Sequence, residues 1–192
     1  MALPSSAEIR SAVKGLGLLL RGDERALLCH DLSLDGFWRS FWLPLALLVV
    51  YAVVMRPTAD ELAAFDGEHT VYTLVQALKF LLGWAAYFAL IAGISRIFGL
   101  GERFGIFVIL YNWAQAITTA ATLPILAGVS WGLLPPSVLA GWSTALLLAW
   151  LYIVVRVARQ GLGATWSLAL AISALDLLTS LAMHRLVDLL LA

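Results

Sequence analysis

Long apolar runs separated by short charged turns set the pattern of this chain. Five runs stand out, at about residues 38–55, 71–98, 104–123, 138–155 and 165–186. About 20 apolar residues in a helix cross the ~30 Å hydrocarbon core of a bilayer, so the pattern predicts five transmembrane helices. Residues 5–29 read differently: Ile9, Ala12, Val13, Leu16, Leu19 and Leu20 recur at helical spacing, with Glu8, Arg10, Lys14 and Arg21 largely elsewhere. Ser5-Ser6-Ala7-Glu8 fits a capping box. Arg21-Gly22-Asp23 predicts a break, and Glu24 to His30 a second short turn. The expected fold is all-α, a polytopic membrane protein of five transmembrane helices with an N-terminal amphipathic interfacial helix. Residues 1–36 form the cytoplasmic N-terminal segment and 37–192 the membrane domain.

The first run is short, with Arg39 and Arg56 at its two ends and Trp38 and Trp42 suited to the interface. The second carries Lys79, and its Gly83, Ala86, Ala89 and Gly93 allow close helix packing in lipid. The turn from Gly99 to Arg103 makes runs two and three an antiparallel hairpin. Pro124 disfavours helix at Leu123 and is expected to end or kink the third span. The stretch from Arg96 to Pro124, with two spans on either side of it, is expected at the hub of the bundle.

Composition narrows the class. The chain of 192 residues is 62% hydrophobic and 12% charged, with mean hydropathy +0.93. Soluble domains carry about 25% charged residues, so no soluble catalytic domain is expected. A net charge of zero leaves no basic face for nucleic acid. The single Cys29 excludes an internal disulfide and a multi-cysteine metal site. Leu16 to Leu20 is too short for a signal peptide, so the first span is expected to act as an uncleaved anchor. Nine Lys and Arg residues fall on the side of the N-terminus and three on the other. That places the N-terminus in the cytoplasm and, after five spans, the C-terminus in the periplasm. The Arg-rich, Lys-poor style points to a bacterial inner membrane.

The hairpin turn has the form Phe-Gly-x-Gly-x-x-Phe (Phe98, Gly99, Gly101, Phe104), followed by Tyr111 in the third span and Pro124 beyond it. With five spans and the late Trp142–Arg156 segment, the chain resembles the Yip family and its bacterial branch over about residues 35–190, mostly as topology. The resemblance implies the five-span fold. Eukaryotic Yip proteins are associated with vesicle traffic and small GTPases. The family has no agreed catalytic residues, so the resemblance implies none here.

Lys79 and Asp176 are the intramembrane charges, and such residues are functional candidates by default. Counting inward from Val71 and Thr165 puts both at similar depth, which suggests an ion pair between spans two and five; separate snorkelling is the alternative. Asn112, Gln115, Thr119 and Thr122 share one face of the third span, suited to interhelical hydrogen bonding or to a polar path. Arg10, Lys14, Arg21, Arg25 and Arg39 are candidates for lipid headgroups. Asp60, Glu61, Asp66, Glu68 and His69 read as a solvated acidic loop, and His184 with Asp188 lacks a third metal ligand. No Ser/His/Asp arrangement, phosphate loop, HExxH or CxxCH is present. The chain is therefore expected to be no enzyme and to hold no cofactor. The reading is a non-catalytic scaffold or accessory subunit, with membrane lipids and other subunits or itself as partners. A small transporter or channel acting as a homo-oligomer is the alternative. A lipid-processing enzyme would lack a nucleophile.

Overall fold

The computed structural model describes residues 4–54, 65 and 68–191. Among them every regular element is helical. Helix α1 covers Ser6–Arg21, and both bonds of the expected capping box form: Glu8 N–H to Ser5 Oγ at 3.2 Å and Ser5 N–H to Glu8 Oε2 at 2.8 Å. Gly22, at φ 79°, ends it in the left-handed region that glycine adopts without strain. A 3₁₀ turn, Glu24–Cys29, follows. Helix α1 lies against the chain's own bundle, with Ala12 and Leu19 buried.

The first span is not one continuous helix. Helix α2, Leu34–Ser40, and α3, Trp42–Val54, meet at Phe41. Pro44 has no N–H for the Ser40 carbonyl, so the ladder is interrupted there. Helix α3 has 13 described residues, and residues 55–64 lie outside the described ones. Four longer helices follow: α4 (His69–Ile97), α5 (Phe104–Ser130), α6 (Pro136–Val157) and α7 (Trp166–Leu191). These four are long and apolar enough to cross a membrane. The chain is a multi-pass helical membrane protein; a fifth crossing would need α3 to extend beyond Val54.

Helix α5 passes through Pro124 and ends only at Trp131, against the expected stop near residue 123. Ending there would leave carbonyls unpaired in an apolar setting with no water to receive them, so the helix continues past one missing bond. It closes where Gly132 turns at φ 73° and the amides of Leu133 and Leu134 reach the Gly128 carbonyl.

Helix α5 is the central one: 56% of its apolar stretch is buried, against 17–28% for the other three. At the end of the bundle that carries α1, α4 and α6 finish while α5 and α7 begin. The densest core lies there, around Tyr87, Ile91, Phe107, Leu110, Val154 and Ile172.

Candidate functional site

Away from that core, α3 to α7 separate around a cavity of 460 Å³. Helices α4 and α7 meet beside it: a Cβ on Gly83 would lie 3.7 Å from the Met183 side chain, an ordinary contact. Helix α4 lines the cavity at Thr73, Gln76, Phe80, Gly83 and Tyr87, three and four residues apart, so one face of the helix is involved. Helix α5 does the same with Tyr111, Gln115, Thr118 and Thr122. The cavity runs toward the end remote from α1, where His184 on its wall is exposed.

Its inner end is built on Asp176, only 8% exposed. One carboxylate oxygen accepts from Tyr111 Oη at 2.6 Å and the other from Trp150 Nε1 at 2.7 Å. Tyr111 is held by rings on several helices, including Tyr87 at 5.2 Å and Trp150 at 5.3 Å between centroids. Three helices thus converge on one carboxylate.

Lys79, 7% exposed, lines the same cavity. The expected ion pair with Asp176 gives way to the two neutral donors, and helix register is the reason. Tyr87 donates to the Ile172 carbonyl at 3.4 Å, so Tyr87 is the α4 residue close to the level of Asp176. Lys79 stands eight residues earlier, about 12 Å along α4 toward the other end. Counting from the span ends misplaced it because α4 and α7 run to 29 and 26 residues.

The polar face of α5 divides. Asn112 is fully buried and donates from Nδ2 to Ser40 Oγ at 2.9 Å, while Ser40 Oγ donates to the Phe37 carbonyl at 2.7 Å. It joins α5 to α2 as interhelical glue. Gln115, Thr119 and Thr122 line the cavity. The hydroxyls of Thr118 and Thr122 donate to carbonyls one turn back, Ala114 at 2.7 Å and Thr118 at 2.8 Å. Gln115 Oε1 and Trp84 Nε1, both on cavity-lining residues, are buried without a hydrogen-bond partner. Such atoms are rare in folded proteins and mark places where a polar group belongs.

The N-terminal cations also divide. Arg39 pairs with Glu8 at 3.2 Å and with Asp31, and Arg25 pairs with Asp23 at 2.6 Å, so these two are engaged within the chain rather than freely offered to headgroups. Arg10, Lys14 and Arg21 are exposed. The Arg25 hydrogen bonds hold Asp23 down to about 2. Hydrogen bonds from Ser33, then the Arg39 charge, lower Asp31. Burial pushes the His30 imidazole down, partly offset by its bond to the Ala26 carbonyl.

Several residues went unread in the sequence. Tyr152 Oη donates to the Leu20 carbonyl at 2.8 Å, and Arg156 Nε and Gln160 Nε2 to that of Leu19 at 3.1 and 3.3 Å. They reach carbonyls in the last turn of α1, that of Leu19 also accepting from the Gly22 amide, and tie the helix to α6. Arg103 reaches the Gln160 and Gly161 carbonyls at 2.8 and 3.1 Å. An Asp within a span announces that donors are near, but no spacing rule points to Tyr111 and Trp150. His184 Nδ1 lies 3.0 Å from the Ser180 carbonyl, and the side chain of Asp188 lies outside the described residues, as does most of the acidic loop. Among the described residues no three His, Cys, Asp or Glu side chains come together.

Fold and site together define a multi-pass helical membrane protein with a charged cavity between its helices. Comparison of the chain with protein families, curated proteins and solved structures finds no match.

Proposed function

We propose that this protein binds and passes a small polar solute through the cavity between α3 and α7, as a non-catalytic transporter or channel. The observation that carries this is the meeting of two buried charges, Lys79 and Asp176, with two partnerless polar atoms, on Gln115 and Trp84, around one space of 460 Å³. Cavities of about 300–1,000 Å³ with a few convergent polar groups hold small molecules. The reading extends to five spans in a bacterial inner membrane, N-terminus in the cytoplasm, which the distribution of Lys and Arg supports. The Yip-like turn belongs to the same proposal. Gly99, at φ 69°, supplies the left-handed turn between α4 and the 3₁₀ segment Gly101–Arg103.

A thiol reporter tests it. With Cys29→Ser removing the native thiol, Thr119→Cys places one on the cavity wall. A membrane-impermeant thiosulfonate is expected to modify it in native membranes, from the side remote from α1. A thiol that reacts only after the membrane is dissolved and the chain denatured would mean a dry or lipid-filled space and would overturn the reading.

One observation favours the subunit reading. Only 17% of the apolar stretch of α6 is buried in the chain, and its outward residues include Ala140, Gly141, Thr144 and Ala145. A small face of this kind lets another helix pack closely. A mild-detergent pull-down that returns a partner at fixed stoichiometry would support it; a partner-free particle would remove it.

A further inference from the structure

Asp176 and the groups around it indicate what the inner end of the cavity receives. Both hydrogen bonds to the carboxylate come from neutral donors, Tyr111 and Trp150. Neither donor brings a charge of its own that would cancel that of a carboxylate. A carboxylate has about four lone-pair positions, so each oxygen can take a second donor. Gln115 adds another acceptor, since its Oε1 is buried without a partner. It sits four residues after Tyr111, one turn along the same face of α5. The rings of Trp84, Tyr87, Tyr111 and Trp150 line this part of the cavity, and ring faces attract cations.

We propose that the inner end of the cavity binds a protonated primary amine. Its ammonium donates to Asp176 and Gln115 among the aromatic rings, and its apolar part runs past Phe80, Gly83 and Leu126 toward the open end. This rests on the solute-binding reading above and names its substrate class. A primary ammonium carries three N–H donors, which suit two carboxylate oxygens and one amide oxygen. A quaternary ammonium would satisfy the rings and leave Gln115 Oε1 unpaired. A bare metal ion would need about six oxygen ligands, and the Thr118 and Thr122 hydroxyls are already turned to their own helix. Lys79, about 12 Å away along α4, has the same sign as the ligand.

The test uses the full chain, purified in detergent, with Cys29→Ser and Thr119→Cys. The readout is the rate of thiol modification in the presence of n-butylammonium, tetramethylammonium, n-butanol or butyrate. We expect n-butylammonium to protect saturably, at a concentration at least tenfold below that needed for the other three. Asp176→Asn should raise the protecting concentration at least tenfold and Gln115→Leu at least threefold. If Asp176→Asn fails to fold, the Gln115→Leu shift carries the test. Equal protection by butanol, butyrate or tetramethylammonium, or none by the amine, overturns the amine inference and leaves the solute reading standing, because the thiol still reacts. A thiol that does not react in the folded protein overturns both.

Discussion

Burial beside α1, near Trp113 at 6.4 Å between ring centroids, pushes the His30 imidazole below its ordinary value of 6.5. The sign for stability follows from proton counting. Below pH 6.5 the unfolded chain takes up a proton that the folded chain refuses, so stability is full above that pH and falls as pH drops through it. The slope is at most about 1.4 kcal/mol per pH unit. Asp23 is held down to about 2, so its contribution is present above 3.8 and is lost only toward pH 2, outside the His30 window. Thermal unfolding in detergent at pH 7.5 and pH 5.0 checks this. The midpoint should drop at pH 5.0, and His30→Gln should remove most of the drop. An equal drop in the variant would assign it to other groups. At this scale the sequence was partly legible. An Asp in an apolar run declares itself as exceptional, whereas the partnership of Tyr111 and Trp150 depends on side chains 65 and 26 residues away meeting it.

Prolines and glycines show what an element can and cannot reveal alone. Pro44 and Pro124 both remove one helical hydrogen bond, yet α2 and α3 break at Phe41 while α5 continues to Ser130. The break puts Ser40 where Asn112 donates to it; a break at Pro124 would open carbonyls to an apolar surround. Glycines differ in the same way. A Cβ on Gly161 would lie 2.9 Å from the Phe107 backbone, where a π turn, Ala158–Leu162, presses against α5. A Cβ on Gly17, in α1, would meet nothing within 4 Å. Gly161→Ala is therefore expected to destabilise by about 1–3 kcal/mol through overpacking. Gly17→Ala should stabilise by up to about 1 kcal/mol through helix propensity. Unfolding midpoints of the two variants in one detergent test the contrast; shifts of the same sign would contradict it. The capping box and the Gly22 stop were readable because they depend on residues within one turn.

For the molecule as a whole, charge asymmetry sets the orientation to be tested. Phe98 is exposed at the turn before α5 and Leu133 at the turn after it, at opposite ends of the bundle. In the Cys29→Ser background, Leu133→Cys is expected to react with an impermeant maleimide in intact cells, and Phe98→Cys only once the membrane is opened. The reverse pattern would invert the topology. Helix α1 belongs to this scale too. It reads as an interfacial helix in sequence, but Tyr152, Arg156 and Gln160 tie its last carbonyls to α6 and the adjoining π turn. Those ties join residues more than 130 positions apart.

The sequence by itself determined that the chain is helical, apolar enough for a bilayer and organised around the segment that becomes α5. Apolar run length, turn chemistry and capping are local, and in lipid a backbone must satisfy its polar groups within its own helix. Only the tertiary structure decided that Asp176 is held by Tyr111 and Trp150 rather than by Lys79, that Asn112 is glue while Gln115 faces a cavity, and that the cavity exists. Each depends on the register in which antiparallel helices pack. In lipid that register is set by side-chain fit rather than by the apolar pattern, because lipid tails are as apolar as the side chains between helices.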